Sequence, residues 1–438
     1  MSDTTGVTRR HFLRVATGTS AAVVLSSAAA LPALGAERAP RPRVYVLVVD
    51  GLRPDEITPA TTPTLYRLRE GGTAFPVARS LPVMETLPNH VMMITGMRPD
   101  RTGVPANSIH DPELGEVRTL DRADDLRAPT VLERLAEHGL TTASVLSKEY
   151  LYGIVGERAT VRWEPFPVIP ISDHAPDLAT LTALTATVAE TDPDFAFVNL
   201  GDVDRVGHVD LTGTTLRAAR TAALMSTDNL VEGFTAFLRR TGRWESSVLV
   251  VLADHSMDWS MPHRVVSLSP GMEDDPMLAG RVAIAQNGGA NLLTFTGPDA
   301  ERADAVTRMR RVAQGTDGVL SVHTPEELRL GPRAGDLVVY CRAGWRFTDP
   351  DLWSNPIPGN HGHPATEPIP FFVTGGHPAV RAGHVSSVAA TTADVAPTVG
   401  ALFGLSEPDG GYDGTARLEA FTALPARVGA NRPTVSTV

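Results

Sequence analysis

The chain has 438 residues, 42% of them hydrophobic and 20% charged, which is enough for one large domain or two ordinary ones with a sizeable core. Its formal net charge of -11 argues against a nucleic-acid-binding protein of the basic-patch type. The single cysteine, Cys341, excludes an internal disulfide and a cysteine-based metal site, and we expect it to be inert core.

Residues 1–36 predict a cleaved export signal. Arg9 and Arg10 are followed by an apolar run over 21–34 that ends in small residues, the order typical of a signal peptide. The paired arginines resemble a bacterial twin-arginine signal. A membrane anchor is the alternative, but the apolar run is shorter than the roughly 20 residues that a spanning helix needs. We therefore expect an extracellular or cell-envelope protein without a membrane span after cleavage.

Beyond the signal, buried strands alternate with amphipathic helices. Strands are predicted at 44–49, 142–146, 194–200, 247–253 and 370–374, and helices at 62–69, 130–137, 179–190, 216–240 and 393–403. This alternation predicts a mostly parallel central sheet covered by helices on both faces, which is a three-layer αβα sandwich.

The segment 264–350 breaks this alternation. Its predicted strands lie at 282–286, 290–296, 318–322 and 337–342, with an arginine-rich helix at 300–313. We interpret it as a small α+β insertion. The catalytic domain would then consist of residues 37–263 and 351–425, and residues 426–438 would be a C-terminal tail.

Metal-ligand side chains follow three of the predicted strands, and one more lies in a glycine-flanked loop. Sites in open α/β sheets form beyond the carboxyl ends of strands, so these side chains are expected to meet. Each has an ordinary explanation when taken singly, as a turn residue, a cap or surface decoration. Together they offer three carboxylates and three imidazoles, a mixture that suits Zn²⁺ and serves two ions better than one. The set is Asp50, Asp204, His208, Asp254, His255 and His361.

Thr86 lies just before a predicted helix over 91–95, and Pro88 suits the first turn of that helix. The free N–H groups and the dipole at such a helix end favour a phosphate. A metal bound to the Thr86 hydroxyl would lower its pKa and create a nucleophile. A helix N-cap is the commoner use of such a threonine, and the residues alone leave both interpretations open.

These motifs resemble those of the type I phosphodiesterase / nucleotide pyrophosphatase family of the alkaline phosphatase superfamily. The matching stretches are Val-Asp-Gly-Leu-Arg (49–53), Glu-Thr-Leu-Pro-Asn-His (85–90), Asp-Arg-Val-Gly-His (204–208), Ala-Asp-His-Ser-Met (253–257) and Asn-His-Gly-His (360–363). They occur in the family's order within residues 43–405. The resemblance implies an alkaline-phosphatase-like fold.

The resemblance also implies a division of labour within the site. One zinc ion would be held by Asp204, His208 and His361, and the other by Asp50, Asp254, His255 and the Thr86 oxygen. Thr86 would attack phosphorus and form a covalent threonine phosphate. Asn107, 21 residues after Thr86, would donate a hydrogen bond to a phosphoryl oxygen.

Three further residues are candidate substrate contacts. Nucleotide-cleaving members of the family often carry an aromatic residue after the nucleophile, where this chain has Leu87, and this puts nucleotide specificity in doubt. Lys148 lies in a stretch similar to one in phosphonoacetate hydrolases and could bind a substrate anion, although a solvated loop lysine is the simpler expectation. Arg205 could contact substrate or pair with a surface carboxylate.

The activity expected from these features is that of a phosphodiesterase or nucleotide pyrophosphatase acting on a small-molecule phosphate ester. A phosphomonoesterase or a phosphonate hydrolase on the same site is the alternative within this class. Outside it stand a metal-dependent phosphomutase and a catalytically silent binding protein. The residues leave the natural substrate and the oligomeric state open.

Overall fold

The computed structural model describes residues 40–166, 174–351 and 353–424. The predicted signal over 1–36 and the tail over 426–438 lie outside these described residues.

An eight-stranded sheet forms the centre of the fold. Across the sheet the strands are His384–Val385, Thr73–Ala74, Phe371–Thr374, Ser247–Leu252, Arg43–Val49, Phe195–Leu200, Thr142–Leu146 and Val161–Trp163. The last five of these run parallel to one another, and Phe371–Thr374 is antiparallel to its neighbour Ser247–Leu252. Residues 44–49 are completely buried, which explains why the sequence of this strand is continuously apolar.

Helices cover both faces of this sheet. Tyr45 packs edge-on against Phe234, with ring centroids 5.5 Å apart, and Phe197 packs edge-on against His90 at 5.8 Å. Phe197 is paired in register with Val46 and not with Tyr45, so the two aromatic side chains point to opposite faces of the sheet. The sheet is therefore the middle layer of three, and the predicted αβα sandwich is confirmed.

The described ranges contain eleven α-helices, none of which combines the length and the apolar character needed to cross a membrane. In chain order they are Pro63–Gly71, Thr86–Thr95, Pro99–Thr102, Val131–Glu137, Glu149–Val155, Asp177–Thr191, Asp202–Val209, Ala218–Arg240, Ser269–Glu273, Arg302–Gly315 and Val395–Phe403. The helix predicted over 91–95 begins earlier, at Thr86, with Pro88 inside its first turn.

A second, antiparallel sheet lies within the predicted insertion. Its strand order is Val282–Asn287, Ala290–Phe295, Leu337–Cys341 and Val319–His323. The helix Arg302–Gly315 packs on this sheet through a separate apolar cluster that includes Leu293, Met309 and Cys341. Burial raises the pKa of the Cys341 thiol, in keeping with an inert core residue. We propose residues 264–350 as the bounds of this insertion.

Short strand pairs complete the structure. They are Ser108–Asp111 with Glu116–Thr119, Asp258–Trp259 with Gly359–Asn360, Val265–Val266 with Arg346–Phe347, and Ala78–Arg79 with Ala390–Thr391.

A buried carboxyl group makes the stability of this fold depend on pH. Burial, together with the charge of Asp202, raises the pKa of Asp177 from 3.8 to about 7. The Thr227 hydroxyl donates to one Asp177 oxygen at 2.6 Å, and the Asp202 N–H donates to the other at 3.2 Å. Because the folded-state pKa is raised, the protonated group stabilises the fold fully below pH 3.8, and this contribution is lost as the pH rises through about 7.

We therefore expect Asp177→Asn, which keeps an acceptor oxygen but cannot ionise, to gain stability relative to wild type between about pH 4 and pH 7. Urea unfolding of both proteins across this range measures the difference. Parallel stability profiles for the two proteins would show that Asp177 does not titrate in this window.

Candidate active site

The parallel strands end at one edge of the sheet, and the predicted ligands gather there. Asp50 directly follows Arg43–Val49, and its N–H donates to the Leu200 carbonyl at 3.0 Å. Gly51 turns the chain at a φ of 71°, and a Cβ at this position would lie 3.2 Å from the Cβ of Asp204. The glycine therefore allows two carboxylate-bearing segments to approach each other closely.

Asp204, His208 and His361 form a first cluster. The helix Asp202–Val209 places Asp204 Oδ1 3.4 Å from His208 Nε2. His361 Nε2 lies 3.1 Å from His208 Nε2 and 3.8 Å from Asp204 Oδ1. Ligand atoms around a tetrahedral zinc ion, at about 2.0–2.2 Å from the metal, are separated by about 3.4 Å. These three atoms therefore have the spacing of a metal site.

Asp50, Asp254, His255 and Thr86 form a second cluster. His255 Nε2 lies 3.6 Å from Asp50 Oδ1, 3.4 Å from Asp254 Oδ2 and 3.3 Å from Thr86 Oγ1. The two clusters are in contact, because the rings of His255 and His361 stack with centroids 3.7 Å apart. The structure thus brings together all six predicted ligands and Thr86.

The three imidazoles are held so that Nε2 faces the site. Nδ1 of His208 lies 2.8 Å from the Gly359 carbonyl, and Nδ1 of His255 lies 3.0 Å from the Ser256 carbonyl. A carbonyl only accepts, so Nδ1 carries the proton and Nε2 is left as the ligand atom.

The Glu85 carboxylate holds the third imidazole in the same way. It lies 3.1 Å from Nδ1 of His361 and, despite the opposing effect of burial, raises the pKa of that residue to about 9. A metal at Nε2 would replace one proton of this ring while Nδ1 keeps the proton that pairs with Glu85.

The charge balance of the site fits bound cations. The oxygens Asp50 Oδ1, Asp204 Oδ1 and Asp254 Oδ2 are buried and have no hydrogen-bond partner among the described residues. Burial and the neighbouring Asp254 charge raise the pKa of Asp50. Buried carboxylates without donors are costly unless a cation neutralises them. The donor set therefore fits divalent metal ions.

Lys148 is part of this site, so the expectation of a solvated loop lysine is wrong. The strand Thr142–Leu146 delivers its fully buried side chain between the clusters, where Nζ lies 2.8 Å from Asp50 Oδ2 and 2.7 Å from Asp204 Oδ2. Burial opposes the charged form, but these two carboxylates outweigh it and raise the pKa of Lys148 above its ordinary value. Nζ also lies 3.4 Å from Thr86 Oγ1.

Thr86 is the first residue of its helix, and Glu85 is the N-cap. The Leu87 N–H, at the same helix end, donates to Asn107 Oδ1 at 2.8 Å, while the Asn107 amide nitrogen donates to the Glu85 carboxylate. Asn107 therefore lies beside the helix N-terminus, next to Thr86. The N-cap interpretation of Thr86 does not hold, because its hydroxyl points to His255 and Lys148.

A cavity of about 600 Å³ opens onto the first cluster, where Asp204, His208 and His361 line it. Arg205 and Asn107 line it, and the Arg205 guanidinium lies over the Tyr150 ring at 5.8 Å. Leu87 has no exposed surface and packs in the core, so it is not placed to contact a substrate in this cavity. Lys148 likewise does not line the cavity, because its ammonium lies behind the carboxylates.

Arg220 is a buried residue of the site that no sequence signal revealed, since it lies inside a long helix with other arginines. Its guanidinium is fully buried and donates to the Gly51 carbonyl at 2.6 Å and to the Val203 carbonyl at 2.8 Å. Two further bonds, at 2.7 and 2.8 Å, go to Glu56. Arg220 thus connects the residue after Asp50 with the residue before Asp204, one from each cluster.

The sequence over residues 44–364 matches the family of type I phosphodiesterases / nucleotide pyrophosphatases. The chain belongs to this family. Members are metal-dependent hydrolases of phosphate esters, and the protein is therefore a metal-dependent phosphoric ester hydrolase.

Solved structures agree with this fold. Murine ectonucleotide pyrophosphatase / phosphodiesterase 5 is similar at a TM-score of 0.72 and 17% identity, over 87% of this chain and 100% of that chain. Phosphonoacetate hydrolase from Sinorhizobium meliloti 1021, in complex with phosphonoformate, is similar at a TM-score of 0.63 and 20% identity, over 82% of this chain and 94% of that chain. At these identities the likeness establishes the fold alone.

Replacement of Arg220 tests its role in holding the clusters together. We expect Arg220→Met to cost about 3 kcal/mol of unfolding free energy, because it leaves Glu56 buried without its partner. Adding Glu56→Leu should restore much of that stability but not the activity, which should stay about 10²-fold below wild type because Asp50 and Asp204 are misplaced. Urea unfolding and kcat on a phosphodiester measure the two effects.

Arg240→Met, at an exposed position of the same helix, is the matched control and should change neither quantity. Full activity in the stable double variant would show that Arg220 serves stability alone.

Proposed function

We propose that this family member is an exported phosphodiesterase that uses two metal ions and passes through a covalent phosphate on Thr86. One observation carries the proposal. The Thr86 hydroxyl lies at a helix N-terminus, 3.3 Å from His255 Nε2 and 3.4 Å from Lys148 Nζ, beside both ligand clusters. The murine structure is also known as an inactive threonine-to-alanine variant in complex with AMP, which supports a threonine nucleophile here.

Two zinc ions would occupy the two clusters. Asp204, His208 and His361 would hold one, and Asp50, Asp254, His255 and the Thr86 oxygen would hold the other. When bound, such ions supply Lewis-acid stabilisation of the entering and leaving oxygens and lower the pKa of a coordinated hydroxyl.

The chain's own groups would then perform the transfer. The ionised Thr86 oxygen attacks phosphorus in line, the bond to the leaving alcohol breaks, and that alcohol takes up a proton. The N-terminal dipole of the Thr86 helix and the Asn107 amide stabilise the negative charge on the phosphoryl group. The Lys148 ammonium, 3.4 Å from Thr86 Oγ1, stabilises the ionised Thr86 oxygen. Water then cleaves the bond between phosphorus and the Thr86 oxygen, which releases a phosphate monoester and restores the Thr86 hydroxyl.

Phosphonate hydrolysis on the same site is the second candidate, suggested by the fold likeness to phosphonoacetate hydrolase. Direct capture of a substrate carboxylate by Lys148 does not fit, because its ammonium is fully occupied by Asp50 and Asp204 behind the cavity wall. Arg205, which lines the cavity, is the better candidate for a contact with the substrate anion.

Export is proposed on the paired Arg9 and Arg10 and the apolar run after them. Twin-arginine export carries folded proteins, which suits a chain whose metal ligands come together only in the fold.

Replacement of Thr86 tests the nucleophile. We expect Thr86→Ala to lose at least about 10³-fold in kcat on bis-p-nitrophenyl phosphate, whereas Thr86→Ser keeps a hydroxyl and retains substantial activity. Acid quenching of the wild type during turnover should leave one p-nitrophenylphosphoryl group on the Thr86 peptide, detected by mass spectrometry.

Metal analysis of the same samples provides the control. About two zinc ions per chain are expected in wild type and in Thr86→Ala, because six protein ligands remain in the variant. If Thr86→Ala hydrolysed the ester at the wild-type rate, Thr86 would not be the nucleophile. A correctly folded protein that binds no divalent metal would overturn the two-metal proposal. Parallel assays with p-nitrophenyl phosphate and phosphonoacetate rank the alternative activities.

Replacement of Lys148 separates a role in the transition state from one in substrate binding. We expect Lys148→Met, in metal-loaded and folded protein, to lower kcat by about 10²-fold with little change in KM, because the ammonium faces Thr86 and not the cavity. Arg205→Met should instead raise KM. If Lys148→Met raised KM at unchanged kcat, Lys148 would be a substrate-binding residue instead.

A further inference from the structure

A second cavity, of about 700 Å³, adjoins the active-site cavity. The two share Ser108, Gln286 and Ser354 in their walls, so a molecule bound at the metal ligands can extend from one into the other. We call this second cavity the side groove.

The side groove runs along the edge strand Val282–Asn287 of the insertion sheet. Alternation along this strand sends Val282, Ile284 and Gln286 to the same face, and all three are half-buried, whereas Ala285 is fully buried on the other face. Val282 and Ile284 and the side-chain amide of Gln286 thus form one continuous wall. Gln286 lies at the junction of the two cavities.

The opposite walls add further apolar side chains. Val117, in the hairpin that follows Ser108, is 43% exposed, and Met272 and Pro350 line the remaining sides. The hairpin is fixed to the edge strand by Asn287, which accepts from the Ser108 N–H at 2.8 Å and donates to the Ser108 carbonyl at 3.0 Å. The groove is therefore built into the fold.

The buried carboxylate that lines the groove is already saturated. Asp349 accepts hydrogen bonds from Ser269, from the Leu268 N–H and from the Asn291 amide, at 2.7–3.2 Å. It therefore anchors the surrounding loops and is not available to a charged ligand. Glu273, an exposed residue whose carboxylate accepts from the Gly280 N–H at 3.2 Å, also lines the groove. Apart from this acidic group, the groove offers a ligand mainly apolar surface.

We propose that the side groove binds an apolar substituent, an alkyl or acyl chain, carried by the phosphodiester that reacts at Thr86. The proposal rests on the proposed function, and it narrows the substrate class to amphiphilic phosphodiesters. The phosphate lies at the metal ligands, its polar neighbourhood lies against Asn107 and Gln286, and the chain lies between Ile284 and Val117.

A chain-length series tests the groove. Methyl, butyl and octyl p-nitrophenyl phosphodiesters, used as monomers in solution, differ only in the part that would enter it. We expect KM to fall by up to about fourfold per added methylene at nearly constant kcat, because each buried methylene leaves water. If the kinetics of hydrolysis did not depend on chain length, the proposal that the groove binds the chain would fail, and the proposed function would be unaffected.

Substitutions of Ile284 test whether the dependence of KM on chain length arises in the groove. Ile284→Asp should abolish the gain from the longer chains and leave the methyl ester unchanged, and Ile284→Ser, which is milder for folding, should reduce that gain. Leu320→Asp is the control, because Leu320 is 50% exposed on Val319–His323 at the opposite edge of the same sheet. An equal loss in Leu320→Asp would show that the effect is not local to the groove.

A binding arm keeps the groove testable without turnover. Calorimetric titration with methylphosphonate and octylphosphonate on the metal-loaded protein should show tighter binding of the octyl compound, and Ile284→Asp should remove the difference. If that difference appears but no ester is hydrolysed, the groove stands and the proposed function fails. Equal affinity for the two phosphonates would contradict the proposal that the groove binds an alkyl chain.

Discussion

Three carboxylates, Asp50, Asp204 and Asp254, are buried in one small volume at the ends of neighbouring strands, and their mutual repulsion shapes the rest of the site. The Lys148 ammonium lies between two of them and compensates part of the negative charge. Each of the three still keeps one buried oxygen without a donor, on the side that faces the imidazoles. In a low-dielectric interior such an arrangement is stable only if cations are supplied to those oxygens. The same geometry thus explains both the need for metal ions and the place where they would bind.

The surrounding structure maintains this strained distribution of charge. Backbone carbonyls hold Nδ1 of His208 and His255, and the Glu85 carboxylate holds Nδ1 of His361. Arg220 lies behind the carboxylates and donates hydrogen bonds to the carbonyls of Gly51 and Val203. Neutral backbone groups, as well as other charges, therefore fix the positions of side chains that would otherwise repel each other.

Two adjoining cavities lie beside this charged centre. Leu87, the residue after Thr86, is part of the core and lines neither cavity. Both cavities are lined in part by the hairpin after Asn107 and by the edge strand Val282–Asn287 of the insertion. The insertion packs around its own apolar cluster and contributes a wall to both cavities.

The sandwich fold and the six candidate ligands could be predicted from the sequence alone. Continuous apolar runs such as 44–49 mark strands buried on both faces, and ligands at strand ends must converge when those strands are parallel neighbours. The resemblance to the family motifs added Thr86 as the candidate nucleophile. Local patterns of this kind are visible in sequence because they repeat over a few residues or follow an element directly.

No local sequence pattern indicates the positions of Lys148, Glu85, Arg220 and Leu87, which follow from the folded chain. Lys148 looks like an ordinary loop lysine until the pairing of Thr142–Leu146 with Phe195–Leu200 places it between Asp50 and Asp204. Burial of a polar side chain, and the partner that makes this burial tolerable, depend on residues far apart in the chain. For the same reason, the groove between the hairpin and the insertion could not be predicted, since its walls come from segments that meet only in the folded protein.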